Sequence, residues 1–187
     1  NLSEVYAVGT EQHPYAVLEW SGGVSIADRL RAGEALDAEE FGRVAPGLAS
    51  GLASLHTAGA VHGAIDPSAV AFGADQPAKL GGFGRSPASS SDAAGDTAAL
   101  ASTLRQMVTG SINPEARPSQ VSDGIDPAVD GALVDAATGS LDAAALAAFL
   151  DAHPPAPAKV EAAWSWGWAV VVGVILAAGI LLSAAGL

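Results

Sequence analysis

Apolar positions follow two periods along the first third of the chain. Residues 5–10 and 15–20 are rich in β-branched and aromatic side chains and flank a short polar segment, which predicts two antiparallel strands joined by a turn. From Phe41 to Leu55 apolar residues recur at steps of three and four, which predicts a helix with one buried face, capped by Asp37 and kinked at Pro46.

The same patterning predicts smaller elements further along the chain. A short helix is expected to start at Ser25, and strands are expected around 70–72 and 78–80. A loop is then predicted over 85–95, followed by a helix that Asp96 caps and Gly110 ends, and by a second loop through 113–118. A helix is predicted to start at Pro127, with Val129, Leu133 and Val134 directed inward, and a last short helix is predicted around 146–150.

The C-terminal end is the most apolar part of the sequence. No charged residue occurs in 162–187, and the 19 residues of 169–187 would span about 28 Å as a helix, close to the thickness of a bilayer core. Trp164, Trp166 and Trp168 stand at the start of this run, as in an interfacial aromatic belt. The pattern predicts a transmembrane helix over 164–187, after a Pro/Ala linker over 153–163.

Composition limits the chemistry of the chain. The 187 residues include no cysteine, which excludes disulfides, thiol catalysis and cysteine-ligated metal sites. The net charge of −12 argues against binding to a nucleic-acid backbone. The first residue is Asn1 and the last lies within an apolar run, so we expect the sequence to be a fragment.

Five segments, in order and spacing, resemble the protein-kinase family. Residues 15–30 resemble the last N-lobe strand, the hinge and the helix after it, and residues 56–62 resemble the end of helix E that leads into the catalytic loop. The segment His62-Gly-Ala-Ile-Asp-Pro-Ser-Ala-Val70 aligns without gaps to the pattern H-R-D-L-K-P-x-N-[IV]. Residues 79–84 align to K-L-x-D-F-G, and 96–110 resemble the family's helix F. The resemblance, to a degenerate bacterial membrane-anchored Ser/Thr kinase-like family truncated at its N-terminus, implies an α+β fold that is mostly α.

The implied organisation has four parts. Residues 1–20 would be a remnant of the kinase N-lobe, and 21–152 a kinase-like C-lobe. The linker and the transmembrane helix would follow, which places the chain in the cell membrane with its kinase-like domain on the cytoplasmic side.

The polar positions of the kinase pattern are mostly replaced. Ala64 stands for the catalytic aspartate, Asp66 for the catalytic-loop lysine, Ala69 for the metal-binding asparagine and Gly82 for the metal-binding aspartate. Phosphoryl transfer depends on such groups to hold Mg²⁺ and orient the attacking hydroxyl. The resemblance therefore implies no catalytic residue, no metal and no cofactor. For Asp66 the sequence favours the cap of a turn over a metal ligand.

The positions that build the family's fold are retained. His62, Phe83, Gly84 and Asp96 match the pattern, and in the family this aspartate binds the backbone of the catalytic loop. Ser89, Ser90 and Ser91 are candidate phosphoacceptors in the following loop, with a solvated loop as the plainer interpretation.

The prediction is a membrane-tethered pseudokinase that acts as a non-catalytic scaffold or regulatory module. Its expected partners are a protein, such as a phosphopeptide-binding domain or an envelope-biogenesis protein, and the bilayer through 164–187, with no nucleic acid. The alternative is an atypical nucleotide-binding or weakly active Ser/Thr kinase, with ATP at a hinge formed by Glu19 and Trp20 and metal ligands from Asp66 or Asp75.

Overall fold

The helices of this chain surround one apolar core, and two small sheets lie beside it. The computed structural model describes residues 1–10, 13, 15–20, 23–73, 76–82 and 92–156, and about half of these are helical. In chain order the elements are β1 (Val5–Gly9), β2 (Tyr15–Leu18), β3 (Val24–Ser25), α1 (Ile26–Arg31), α2 (Ala38–Thr57), β4 (Val70–Gly73), β5 (Gln76–Leu80), α3 (Ala93–Thr109), α4 (Pro118–Val121), α5 (Pro127–Ala137) and α6 (Ala143–Ala152).

The strands form two antiparallel sheets. β1 pairs with β2 as predicted, and the second sheet has the order β3-β4-β5. The first three residues run along β5: the Leu80 N–H donates to the Asn1 carbonyl at 2.7 Å, and the Ser3 N–H donates to the Leu80 carbonyl at 3.0 Å. This segment satisfies backbone groups that an edge strand would otherwise expose.

Helix α2 is the centre of the core. The Asp37 carboxylate accepts from the Glu40 N–H at 2.8 Å and the Glu40 side chain binds back, which is the capping box at its N-terminus. The predicted apolar face is confirmed, and α2 packs against α6, α3 and β5. Its large buried side chains are Phe41, Val44, Leu48 and Leu52.

Helix α3 begins earlier than the sequence pattern predicts. The predicted cap at Asp96 is wrong: Asp92 is the cap, and its carboxylate accepts from the Gly95 N–H at 2.8 Å. Asp96 lies in the first turn with its side chain fully buried, because backbone donors from another segment face it there. The predicted end at Gly110 is confirmed, with φ +64°, a conformation that glycine adopts without strain.

Two details of the C-terminal helices also differ from the prediction. The segment predicted as a loop through 113–118 leads into the four-residue helix α4. Asp126 and Pro127 start α5 as expected, and Val129 and Leu133 are buried, but Val134 is 51% exposed. One residue is 100° of helical rotation, so Val134 is turned away from the face that Leu133 shares with Val129.

The membrane-spanning part of the predicted fold class is not supported. Among the described residues, no helix is both long and apolar enough to cross a bilayer. The longest, α2, includes Glu39, Glu40 and Arg43 and packs its apolar face on other helices. Residues 164–187, for which the span was predicted, lie outside the described residues. The fold class is corrected to α+β with small sheets, and the predicted cell-membrane localisation is withdrawn with the helix on which it depended.

Candidate functional site

The segment that resembles a kinase catalytic loop is fixed by one buried carboxylate. Asp96, on the first turn of α3, has no exposed surface. Its Oδ2 accepts from the backbone N–H of His62 at 2.6 Å, and its Oδ1 accepts from that of Gly63 at 2.8 Å. Charge-assisted bonds of this kind are stronger than those between neutral groups. The contact that the resemblance implies for this aspartate is therefore present in the structure.

A third contact brings helix α2 to the same carboxylate. His56, in the last turn of α2, places Nε2 at 3.2 Å from Asp96 Oδ2. Since the carboxylate is the acceptor, this ring nitrogen is the donor. Asp96 thus joins the end of α2, the start of the loop and the start of α3. Sequence reasoning missed this contact of His56, because the 40 residues that separate it from Asp96 leave no periodic signal.

The His62 side chain joins the loop to the segment after β5. Its Nε2 donates to the Gly81 carbonyl at 3.0 Å, and its Nδ1 accepts from the Ala64 N–H at 3.3 Å. These two roles, one donor and one acceptor, belong to the neutral imidazole. His62 is only 5% exposed, and both ring nitrogens are bonded to the backbone, so it is placed to hold the loop rather than to accept a proton from a substrate.

A backbone bond holds the two motif segments together. The Gly81 N–H donates to the Ala69 carbonyl at 2.8 Å, while its own carbonyl accepts from His62. The loop and residues 79–82 are therefore joined by both bonds. This is the region where phosphoryl transfer would need its ligands if the chain were a kinase.

Three of the four replaced positions in this region have no side chain that could bind a metal, and the fourth, Asp66, caps a turn. Ala64, Ala69 and Gly82 have no side-chain oxygen. Asp66 caps its own turn, because its Oδ1 accepts from the Ser68 N–H at 2.7 Å and from the Ala69 N–H at 3.0 Å. Across the described residues, no group of three or more His, Asp or Glu side chains could hold a metal ion.

The two residues of the predicted hinge differ in their surroundings. Glu19 is bonded on both sides: its N–H donates to the Glu4 carbonyl at 2.7 Å, and its carboxylate pairs with the Lys79 ammonium. Trp20 is 87% exposed.

Six residues that the sequence analysis singled out lie outside the described residues. They are Asp75, the motif residues Phe83 and Gly84, and the candidate phosphoacceptors Ser89, Ser90 and Ser91.

The Glu19–Lys79 pair predicts a defined dependence of stability on pH. The hydrogen bond from Lys79, followed by the one from the Glu4 backbone, holds the pKa of Glu19 below its ordinary value of 4.5. A carboxyl with a lowered folded-state pKa contributes stability that is complete above the ordinary value and is lost as pH falls through the folded-state pKa. We expect the difference in urea midpoint between the wild type and Glu19→Gln to shrink as the pH is lowered below about 4.5.

The matched control for this experiment removes the partner. In a Lys79→Met background, the effect of Glu19→Gln on the urea midpoint is expected to depend less on pH, and the dependence that remains is due to the Glu4 backbone bond. A difference that persists unchanged at low pH in the wild-type background would contradict a role for the charged pair.

A comparison of the chain with models of protein families and with curated proteins finds no match.

Proposed function

We propose that this chain is a catalytically inactive protein-kinase-like domain that serves as a scaffold or regulatory module for a protein partner. The observation that carries the proposal is the contrast within one loop. Asp96 holds the backbone of His62 and Gly63, whereas the positions beside them lack the oxygens that phosphoryl transfer requires. A loop that is fixed in place but has lost its ligands is suited to presenting a surface rather than to catalysis.

The surroundings of Asp66 support the inactive assignment. This residue replaces the lysine of the family pattern and brings a negative charge to a position next to the expected phosphates. Coulomb repulsion between a carboxylate and a phosphate would disfavour nucleotide there. Its oxygen is also committed to the turn through Ser68 and Ala69.

Thermal unfolding with Mg·ATP tests the proposal directly. A ligand present at about 100 times its Kd stabilises a protein by about 2.7 kcal/mol, which corresponds to a shift of several degrees in Tm for a domain of this size. We expect millimolar Mg·ATP to leave the Tm of the full chain unchanged within about one degree. A shift of several degrees that EDTA reverses would favour the nucleotide-binding alternative instead.

Transfer of labelled phosphate is the second readout. We expect no incorporation from γ-labelled ATP into the chain or into a generic protein substrate above that of the Asp66→Ala variant. This variant is a suitable control because it removes the one carboxylate of the aligned loop without touching Asp96. Incorporation by the wild type that the control lacks would show an atypical kinase instead.

A further inference from the structure

A second candidate site lies on the other side of α3, away from the kinase-like loop. A pocket of about 200 Å³ is enclosed by α3, α5 and the segment that connects α3 to α4. Two arginines contribute to its wall, Arg105 from α3 and Arg117 from the connecting segment, and apolar surface comes from Pro114, Pro118 and Leu133. Small-molecule sites for drug-sized ligands usually exceed about 300 Å³, so this pocket suits a smaller group.

The two arginines are unusual in this acidic chain. The full sequence has 20 Asp and Glu against 8 Lys and Arg, so carboxylates outnumber cations. Arg29, Arg31 and Lys79 each form an ion pair with a carboxylate. In the part of the chain that the structure describes, Arg105 and Arg117 form no ion pair, and both line the same pocket.

The Arg105 side chain is partly buried and incompletely bonded. One terminal nitrogen donates to the Ser102 hydroxyl at 3.2 Å, while the buried Nε has no acceptor among the described residues. A guanidinium remains charged at all ordinary pH values, and burying a charge without an opposite partner is costly. The buried Nε is out of reach of a ligand in the pocket, so an anion there would offset this cost through the terminal nitrogens of the guanidinium.

The acidic side chains of the pocket do not fill that role. Asp130 is buried, and both of its carboxylate oxygens are bonded to Ser119. Oδ1 accepts from the Ser119 backbone N–H at 3.2 Å, and Oδ2 accepts from the Ser119 hydroxyl at 2.5 Å. Glu115 is exposed and lies at the rim of the same pocket. Among the described residues, neither carboxylate forms an ion pair with Arg105.

We propose that this pocket binds a carboxylate carried on a short apolar group. The guanidinium fork matches the two oxygens of a carboxylate, and the prolines and Leu133 provide a surface for the attached hydrocarbon. Asp130 and Glu115 already bring negative charge to the pocket, so a dianionic phosphate would meet more repulsion there than a monoanion. The source is a free carboxylic acid or a glutamate side chain of a peptide.

Titration of the full chain with sodium isovalerate tests this site, observed through the NMR signals of the arginine Nε–H groups. We expect a saturable shift of the Arg105 signal with a Kd on the order of 1 mM, typical of a fragment-sized ligand. Isovaleramide, which has nearly the same shape without the charge, is expected to produce no saturable shift. Inorganic phosphate is expected to bind more weakly than isovalerate.

Three variants distinguish the pocket from a general effect of charge. Arg117→Gln, at an exposed position, is expected to weaken isovalerate binding roughly tenfold, and Arg105→Lys, which keeps the charge but not the fork, to weaken it similarly. Arg31→Gln, an exposed arginine paired with Asp28, is expected to leave the Kd unchanged. Equal shifts with isovaleramide, an unchanged Kd for isovalerate in Arg117→Gln, or tighter binding of phosphate than of isovalerate would each overturn the proposal.

A fourth probe identifies the source of the carboxylate. N-acetylglutamate methylamide carries the same group in a peptide setting. Tighter binding of this probe than of isovalerate supports a protein side chain as the natural occupant, and the reverse order supports a free acid.

Discussion

Replacing Asp96 by alanine is expected to destabilise the full chain by about 3–5 kcal/mol, measured as the free energy of unfolding in urea. The variant leaves the buried backbone N–H groups of His62 and Gly63 without their acceptor, each at a cost of about 1–3 kcal/mol, and it also removes the bond from His56. Because small domains are stable by about 5–15 kcal/mol, this loss is a large fraction of the total.

The matched control lies one turn earlier on the same helix. Asp92→Ala removes the cap of α3 but no buried contact, and is expected to cost about 1 kcal/mol. Asp96→Asn keeps one carbonyl oxygen as an acceptor but turns its NH₂ group toward one of the two backbone N–H donors. Its loss of stability should therefore fall between those of Asp92→Ala and Asp96→Ala. Hydrogen exchange at the His62 and Gly63 amides provides a second readout in variants that stay folded. An Asp96→Ala variant no less stable than Asp92→Ala would show that the loop is held by other contacts.

Local features of the fold are the ones that sequence reasoning predicted well. The cap of α2 at Asp37 requires a bond to a residue only three positions away, so composition and spacing define it completely. The same holds for Pro127 at the first turn of α5 and for the glycine that ends α3. In each case the physical cause lies within one helical turn of the residue concerned.

Asp96 shows why local reasoning fails at a functional position. Its spacing before an apolar helical run is that of an N-cap, but a cap is stabilised by donors of its own helix, whereas Asp96 is bonded by donors from a loop more than 30 residues earlier. The family resemblance predicted this longer-range contact, and periodicity did not. The contact of His56 with Asp96 and the arginine pocket had neither signal, although the resemblance covers His56 itself, because each arises where separate elements meet.

The four positions that differ from the kinase pattern are the opposite case, because the chemistry of three of them follows from the sequence alone. Alanine and glycine offer no side-chain oxygen in any conformation, so the absence of ligands at Ala64, Ala69 and Gly82 is a property of the sequence. For Asp66 the structure was needed, because an aspartate can either bind a metal or cap a turn. The bonds from Ser68 and Ala69 give it the second role.

Leu52→Ala is expected to be comparably destabilising, at about 2–5 kcal/mol, and to act on the same site from the side of the core. Leu52 has no exposed surface and lies one turn before His56 on α2, so the variant opens a cavity beneath the helix end that reaches Asp96. Leu55→Ala, three residues later and only partly buried, is the control and should cost clearly less. Urea denaturation measures both losses.

Leu52→Ala should also lower the protection of the His62 amide from hydrogen exchange more than Leu55→Ala does, because α2 could no longer hold the imidazole of His56 against the Asp96 carboxylate. Equal losses of His62 amide protection in the two variants would mean that the end of α2 does not depend on the core for its position, and that Asp96 alone fixes the loop.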